Sequence, residues 1–341
     1  PPGRQRQPGS GRKSAIDAQP GQLEHLDSLV EPETRGNPMC PLRWTTKSTD
    51  KLSRELAAAG FEASPRTVAK LLKQQDFSLQ STSKKTEGKQ SPDRDAQFRY
   101  IHDSVVACQA TGQPVISVDA KKKELIGDFA QKGREWQPKG KPVAVRTHDF
   151  VDAELGKAAP YGAYDITHNE AWVSVGISAD TAPFAVESIR RWWKEMGSQR
   201  YADVDELVIT ADGGGSNGSR LRAWEHELQT LADELDLQIT VHHFPPGTSK
   251  WNKVEHRLFA PISLNWRGRP LETVETVVQL IANTTTKTGL VVRAALDDST
   301  YVKGVQITDE QMSTVDLWPH DFHPEWNYTI APRSWDWRPT G

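Results

Sequence analysis

Apolar residues in the last two thirds of the chain fall into short runs separated by longer amphipathic stretches. Short β-branched runs bounded by turn residues are typical of strands. The predicted strands are VISVD, ELIGDF (Glu124–Phe129), YGAYDI, AWVSVGIS, ELVITAD and LQITVHHF. ELIGDF is expected to pair with VISVD. Helical periodicity appears in TAPFAVESIRRWWKEMG, in Ser219–Leu235 and, from about Lys250, in KWNKVEHRLFAPISLNW. This order predicts an α/β domain with a mixed sheet flanked by helices.

The earlier segment STDKLSRELAAAGFEASPRTVAKLLKQQDFSL carries the signals of two short helices. Ser48 or Thr49 caps the first helix, Gly60 ends it, and Ser64 followed by a proline opens the second. This spacing favours a helix-turn-helix whose second helix presents three basic residues to DNA, namely Arg66, Lys70 and Lys73. A small helical hairpin with no role in DNA binding is the alternative.

Changes in composition divide the chain into regions. Residues 1–22 are a basic linker rich in Pro and Gly, and residues 23–80 are the helix-turn-helix-like region. Residues 81–112 are a connector that includes a helix from about Ala96 to Thr111. Residues 113–341 are the large α/β domain, which has a loop-rich insertion at 130–159 and an aromatic carboxyl-terminal extension, PHDFHPEWNYTI.

Composition limits the classes of function. The 341 residues are 36% hydrophobic and 26% charged, and no run approaches the ~18 apolar residues of a membrane span, so no membrane partner is expected. The net charge of -3 hides an asymmetry, because the first 100 residues hold 17 basic and 12 acidic residues, against 25 and 33 in the remainder. The basic part suits a polyanion and the acidic part suits a metal ion.

Two cysteines, Cys40 and Cys108, are too few for a disulfide framework, which favours a reducing cytoplasm. The polar, proline-rich opening PPGRQRQPGSGRKSAID does not have the pattern of a signal peptide. Because the sequence lacks an initiator Met, it is expected to be a processed or incomplete chain.

Three carboxylates occupy positions suited to catalysis. Asp119 and Asp212 each follow an apolar strand, and Glu255 lies on the helix after the last predicted strand. Ligands of open α/β sheets bind at the carboxyl ends of strands. Oxygen ligands suit hard cations such as Mg²⁺ or Mn²⁺, and two such ions could serve phosphodiester chemistry. A single aspartate after a strand is more often a turn residue or a helix cap, so the prediction rests on the three together.

The glycines of TADGGGSNGSR raise the alternative of a nucleotide-binding loop. A Walker loop requires a Lys that is missing here, since Gly218 is followed by Ser219 and Arg220. A dinucleotide fingerprint is matched in spacing only. The glycines are therefore interpreted as room for tight turns beside Asp212, and Ser216 and Asn217 as candidates to support it or to contact phosphate.

The segment HHFPPGTSKWNKVEHRLF places further polar residues near Glu255. Asn252 lies one turn before Glu255 on the same face and is expected to support it or to contact phosphate. Basic residues of this segment are expected to face a polyanion, namely Lys250, Lys253 and Arg257. A zinc site built from His242, His243 and His256 is disfavoured, because no Cys is near and the spacing is not H-E-x-x-H.

Several of these motifs together resemble a known family. SVDAKKKE, GREWQPKG, YGAYD, ITADGGGSNGSR, HHFPPGTSKWNKVEHRLF, NWRGRPL and PHDFHPEWNYTI are similar to segments of the bacterial insertion-sequence transposases of the Rhodopirellula-type DDE family. The resemblance runs from about Leu29 to Arg333. It implies an RNase H-like DDE nuclease in which Asp119, Asp212 and Glu255 are the first, second and third acidic positions.

The resemblance also implies an activity and its partners. The enzyme is expected to depend on Mg²⁺, with two ions bound and with Mn²⁺ able to substitute. It is expected to cleave DNA at the ends of the element and then to use a 3′-hydroxyl to attack target DNA. A homo-oligomer on paired ends is expected, in the bacterial cytoplasm at the nucleoid. The resemblance further implies that the amino-terminal helices form a winged-helix-like DNA-binding element. Lys121, Lys122 and Lys123 are expected to lie near the DNA backbone.

Longer members of the family carry a further amino-terminal DNA-binding region, and this sequence begins at what resembles the linker after it. Two other functions stay open at this stage. One is a structure-selective nuclease that cuts DNA without strand transfer. The other is a DNA-binding protein whose nuclease-like domain is inactive.

Overall fold

The computed structural model describes most of the chain. The described residues are 19–30, 34–36, 43–45, 48–75, 77–79, 92–248 and 251–335. The chain divides into two compact units, residues 1–85 and residues 86–341. The division falls inside the predicted connector 81–112, and most of the predicted linker 1–22 lies outside the described residues.

The first unit is a small helical bundle with a two-stranded hairpin. Its elements are α1 (Gln22–Val30), β1 (Thr34–Gly36), β2 (Arg43–Thr45), α2 (Thr49–Ala58) and α3 (Pro65–Gln74). Ser48 caps α2 and Ser64 caps α3, each by accepting a hydrogen bond from a backbone N–H in the first turn. The core consists of fully buried aliphatic residues, namely Leu26, Leu52, Leu56, Val68 and Leu71.

The second unit is built on one large mixed sheet. Its strands are β3 (Val115–Ala120), β4 (Glu124–Leu125), β5 (Lys157–Asp165), β6 (Glu170–Gly176), β7 (Glu206–Ala211), β8 (Gln238–His243), β9 (Val291–Asp297), β10 (Leu317–Pro319) and β11 (Asn327–Ile330). Their order is β10, β11, β8, β7, β3, β5, β6 and β9, with β4 paired to β5. The predicted mixed sheet flanked by helices is confirmed.

Strand direction places several strand ends together. β3 is parallel to β7, and β7 is parallel to β8. β6 also runs in the direction of β3, because each of them is antiparallel to β5, which lies between them. The carboxyl ends of β3, β6, β7 and β8 therefore share one edge of the sheet.

Helices cover both faces of this sheet. The helices of this unit are α4 (Arg94–Ala110), α5 (Ala182–Trp192), α6 (Ser198–Arg200), α7 (Arg222–Leu235), α8 (Ala260–Asn265), α9 (Val274–Ala282) and α10 (Asp309–Met312). On one face α5 and α7 bury large side chains such as Phe184, Trp192 and Trp224. On the other face α8, α9 and the turn before α8 bury Leu258 and Phe259. Among the described residues, no helix has the length and apolarity needed to span a bilayer.

Some local predictions are wrong. Only Glu124 and Leu125 of ELIGDF form a strand, and it pairs with β5 instead of VISVD. Gly127, with a φ of 126°, turns the chain away after them. The predicted insertion 130–159 ends sooner, because β5 begins at Lys157.

The carboxyl-terminal half also differs from the prediction in detail. The helix predicted from Lys250 is divided, since a π-helical turn at Glu255–Phe259 precedes α8. The aromatic extension contains the strand β11, and β10 ends at its first residue, Pro319. The sequence pattern predicted neither strand. β11 pairs with β8, so the extension packs against the sheet, with Tyr328 and Ile330 buried in its core.

Candidate active site

Asp119 and Asp212 leave the sheet side by side. Asp119 is the next-to-last residue of β3, and Asp212 directly follows β7. These strands are parallel neighbours in which Val118 pairs with Ala211, so the residues that come next are also adjacent. The Asp119 side chain is buried, and the backbone N–H of Ala120 donates a hydrogen bond to its Oδ1 at 2.7 Å.

Hydrogen bonds to β3 bring the turn that carries Glu255 to the same place. The backbone N–H of Val254 donates to Ser117 Oγ at 2.9 Å. Asn252 Nδ2 donates to the carbonyl of Val118 at 2.9 Å, and Ser117 Oγ donates to Asn252 Oδ1. Since these contacts involve the two residues directly before Asp119, they fix the start of the Glu255 turn relative to Asp119. Asn252 is fully buried, so it holds this turn in place and is not exposed to phosphate.

A glycine allows the turn to lie directly on the sheet. Gly162 of β5 is the register partner of Asp119. A Cβ at this position would lie 2.7 Å from Leu258 Cδ2 and 2.8 Å from Phe259 Cε1, both in the turn that begins with Glu255. Neither Gly162 nor Ser117 carries a signal in the sequence that would have marked it, because both act through neighbours that are distant along the chain.

The carboxylates influence one another electrostatically. The pKa of Asp119 is raised to about 8, chiefly by burial and then by the negative charges of Asp212, Glu255 and Asp180, while the hydrogen bond from the Ala120 N–H opposes the shift. Burial also raises the pKa of Asp212, against the hydrogen bonds from Gly214 and Asn217. Asp212, Glu255 and Asp180 thus all lie within interaction range of Asp119.

Two contacts hold Asp212 in position. Asn217 Nδ2 donates to Asp212 Oδ1 at 3.0 Å, so Asn217 is a supporting residue. His243 Nδ1 donates to the carbonyl oxygen of Asp212 at 3.0 Å, and Tyr328 Oη lies 3.2 Å from its Nε2. Burial lowers the pKa of His243 to about 4, so the ring is neutral at pH 7 and its role is to orient the chain around Asp212.

The glycines after Asp212 make a turn and leave space. Gly215 has a φ of 66°, which favours glycine. A Cβ at Gly214 would meet no atom within 4 Å. These features agree with a turn beside a carboxylate, as predicted.

The donor set at this edge suits a hard cation. The acidic side chains within interaction range of Asp119 offer carboxylate oxygens, which Mg²⁺ and Mn²⁺ prefer. Within the described ranges, no three His, Cys, Asp or Glu side chains form a closed group around one point. Like charges repel, so closure of such a set is expected only with a cation bound.

Comparison with known families decides the assignment. The Rhodopirellula transposase DDE domain matches residues 25–332, nearly the whole chain. The chain belongs to this family. As a transposase DDE domain it is expected to have the RNase H-like fold that the resemblance implied, and the mixed sheet with helices on both faces is in accord with it.

Solved structures of transposases are similar to this DDE domain protein at low identity. One is the Mos1 transposase paired-end complex with left transposon end, at 12% identity and a TM-score of 0.39, over 81% of this chain and 72% of that chain. Another is the mariner Mos1 paired end complex with Mn, at 11% identity and a TM-score of 0.37, over 82% of this chain and 78% of that chain. A comparison with curated proteins gave no match.

The basic residues predicted to contact DNA differ in exposure. The exposed ones are Lys122, Lys123, Lys253 and Arg257 in the DDE domain and Arg66, Lys70 and Lys73 on α3. Lys121, which was also predicted to lie near the DNA backbone, is instead buried, with its Nζ 2.6 Å from Glu124 and 4.5 Å from the centre of the Trp266 ring. Lys250 lies outside the described residues.

Proposed function

We propose that this transposase cuts DNA at the ends of an insertion element with the help of divalent cations and then joins the freed 3′-hydroxyl to target DNA. The observation that carries this proposal is the arrangement at one sheet edge of Asp119, Asp212 and the turn that begins with Glu255. Assembly as a homo-oligomer on paired ends is part of the proposal and rests on the family resemblance.

Asp119, Asp212 and Glu255 are the residues that would hold Mg²⁺, with Mn²⁺ able to substitute and two ions expected. Such ions, when bound, polarise the phosphodiester and lower the pKa of an attacking hydroxyl. The chain supplies the remainder of the site. Asn217 and His243 orient Asp212, and Asn252 fixes the turn of Glu255, so the carboxylates are placed before substrate arrives.

Exposed cations next to this turn suit a polyanionic substrate. Lys253 and Arg257 lie on either side of Glu255 along the chain, and both are exposed. Their charge would attract the DNA backbone toward the acidic edge, that is, the edge of the sheet that carries Asp119 and Asp212. It would also offset the repulsion between phosphate and carboxylates.

The test is a cleavage and joining assay with duplex DNA that contains the element ends and a plasmid target. We expect cut ends and joined products with Mg²⁺ or Mn²⁺, and neither with EDTA. Asp212→Asn is expected to lower cleavage on the order of 10³-fold, which corresponds to about 4 kcal/mol. Cutting without joined products would instead indicate a nuclease, and DNA binding without cutting would indicate an inactive domain.

We also expect α3 to contribute to DNA binding through electrostatics. Arg66, Lys70 and Lys73 are spaced along one side of α3 and are exposed. Replacing all three with Ala should weaken DNA binding and reduce the slope of log K against log salt by up to about 2.7, since each phosphate contact contributes about 0.9. Fluorescence anisotropy at several salt concentrations measures both the DNA affinity and its dependence on salt.

The matched control replaces Lys51 and Arg54, which are exposed basic residues on α2. This variant should keep most of the salt dependence. If the α3 variant and the control have the same slope as the unchanged protein, the helices are a hairpin with no direct role in DNA binding.

A further inference from the structure

A third aspartate lies at the edge of the sheet that carries Asp119 and Asp212. Asp180 is in the short connection between β6, which ends at Gly176, and α5, which begins at Ala182. β6 runs in the same direction as β3, so this connection leaves the sheet at the edge where Asp119 and Asp212 lie. Asp180 also lies close enough to Asp119 for the two charges to interact.

Tyr161 lies between the strands that lead to Asp119 and Asp180. It belongs to β5, where it pairs with Ala120 on one side and with Ser174 of β6 on the other. Its side chain is fully buried, and its Oη has no hydrogen-bond partner among the described residues. Burial, and then the charges of Asp119, Asp212 and Asp180, raise its pKa well above the usual range, so the hydroxyl stays protonated.

The connection that carries Asp180 also contains buried polar atoms without partners. Within the described part of the chain, Asp180 Oδ1 and Thr181 Oγ1 also lack a partner. Thr181 is the N-cap residue of α5, yet its side chain makes no capping bond. A buried carboxylate oxygen or hydroxyl without a partner is costly, and in folded proteins such atoms often mark a functional site or a bound ion. A cation would satisfy the carboxylate oxygens and reduce their repulsion.

We propose that Asp180 is a fourth acidic residue of the site that binds a hard divalent cation together with Asp119, and that the Tyr161 hydroxyl, which makes no hydrogen bond among the described residues, donates one to Asp180 when the cation is bound. This inference rests on the proposed function and extends it by two residues outside the predicted set of three carboxylates. A hydroxyl donor beside a ligating carboxylate fixes its orientation, and loss of such a partner typically weakens metal binding 10- to 100-fold.

Asp180 also stands next to the first turn of α5, where a negative charge stabilises a helix without any metal. The two roles predict different results. In a purely helical role, Asp180→Asn lowers the thermal stability and leaves the affinity for cations unchanged. In the proposed role, Asp180→Asn weakens cation binding and does not lower the melting temperature in EDTA.

The test uses Mn²⁺ alone with the full chain, and free Mn²⁺ is measured by electron paramagnetic resonance. We expect Asp180→Asn to weaken the binding of at least one ion 10-fold or more, and Tyr161→Phe to weaken it about 10-fold. Asp298→Asn is the matched control, because Asp298 follows β9, which is parallel to β6, but is exposed. Its affinity should not change.

The variant Asp212→Asn distinguishes a failure of the role proposed for Asp180 from a failure of the proposed function. If the unchanged chain binds Mn²⁺ and Asp212→Asn abolishes binding while Asp180→Asn and Tyr161→Phe bind normally, the role of Asp180 is refuted and the proposed function stands. If the unchanged chain does not bind Mn²⁺, the proposed function itself is refuted. Melting curves in EDTA show whether each variant is folded.

Discussion

Asp119→Asn is expected to abolish cleavage and, in the absence of divalent cations, to make the protein more stable at alkaline pH. Cleavage should fall on the order of 10³-fold, because the variant loses a charged oxygen ligand at the centre of the acidic edge. The gain in stability has a separate cause. The folded chain holds a buried carboxylate that resists ionisation, and the amide has no charge to bury.

The sign of the pH dependence follows from the direction of the shift. The pKa of Asp119 is about 8 in the folded chain, above the value of 3.8 for a free side chain. A raised pKa means that the folded state binds more protons, so the carboxyl group favours folding at low pH and loses this contribution as the pH rises through 8. The stability of Asp119→Asn relative to the unchanged chain should therefore grow between about pH 4 and pH 8.

Melting temperatures in EDTA at pH 5 and pH 8.5 measure this effect. We expect an advantage of about 2 kcal/mol or more for Asp119→Asn at pH 8.5, which is several degrees, and a smaller one at pH 5. Asp128→Asn is a suitable control because Asp128 is exposed. An equal advantage at both pH values would contradict the electrostatic explanation.

Gly162→Ala is expected to cause the second largest loss of cleavage activity, because it displaces the turn that carries Glu255. The added methyl would lie 2.7 Å from Leu258 and 2.8 Å from Phe259. Such overpacking typically costs about 1–3 kcal/mol of stability. The turn with Glu255 must move away from Asp119 to relieve it, and a displacement of about 1 Å at an active site lowers the rate about 100-fold.

Cleavage rates, DNA affinity and melting temperatures together test this prediction. DNA affinity should change little, because the methyl group lies inside the domain. Gly214→Ala is the matched control, since it adds the same methyl group near Asp212 where no atom lies within 4 Å and φ is -131°. Should Gly162→Ala cleave at the normal rate, the close contact between the turn and the sheet is not needed for catalysis.

The sequence was informative where a signal is local. Ser48 and Ser64 were recognised as possible helix caps, and the runs before Asp119 and Asp212 were recognised as strands, because capping and β-branched runs depend on near neighbours. ELIGDF was misassigned because its composition suits a strand, whereas Gly127 and the burial of Phe129 end the strand at Leu125.

Asp180 carries a local signal similar to that of Asp212. It follows an apolar strand and precedes a helix, so the rule that marked Asp212 also applies to it. The rule needs the direction of each strand, however, and the direction of β6 follows from two antiparallel pairings with β5 that the sequence does not state. The role of Tyr161 depends on the same register.

The sequence by itself determined the family, the α/β class and the three candidate carboxylates, because motifs and periodicity are written in consecutive residues. Only the tertiary structure decided that Lys121 is buried against Glu124 and Trp266, that Asn252 anchors the turn of Glu255, and that Gly162 must be small. The reason is physical: each of these positions depends on a residue that is distant along the chain, namely Trp266, Val118 or Leu258, and sheet register and helix packing bring the two together.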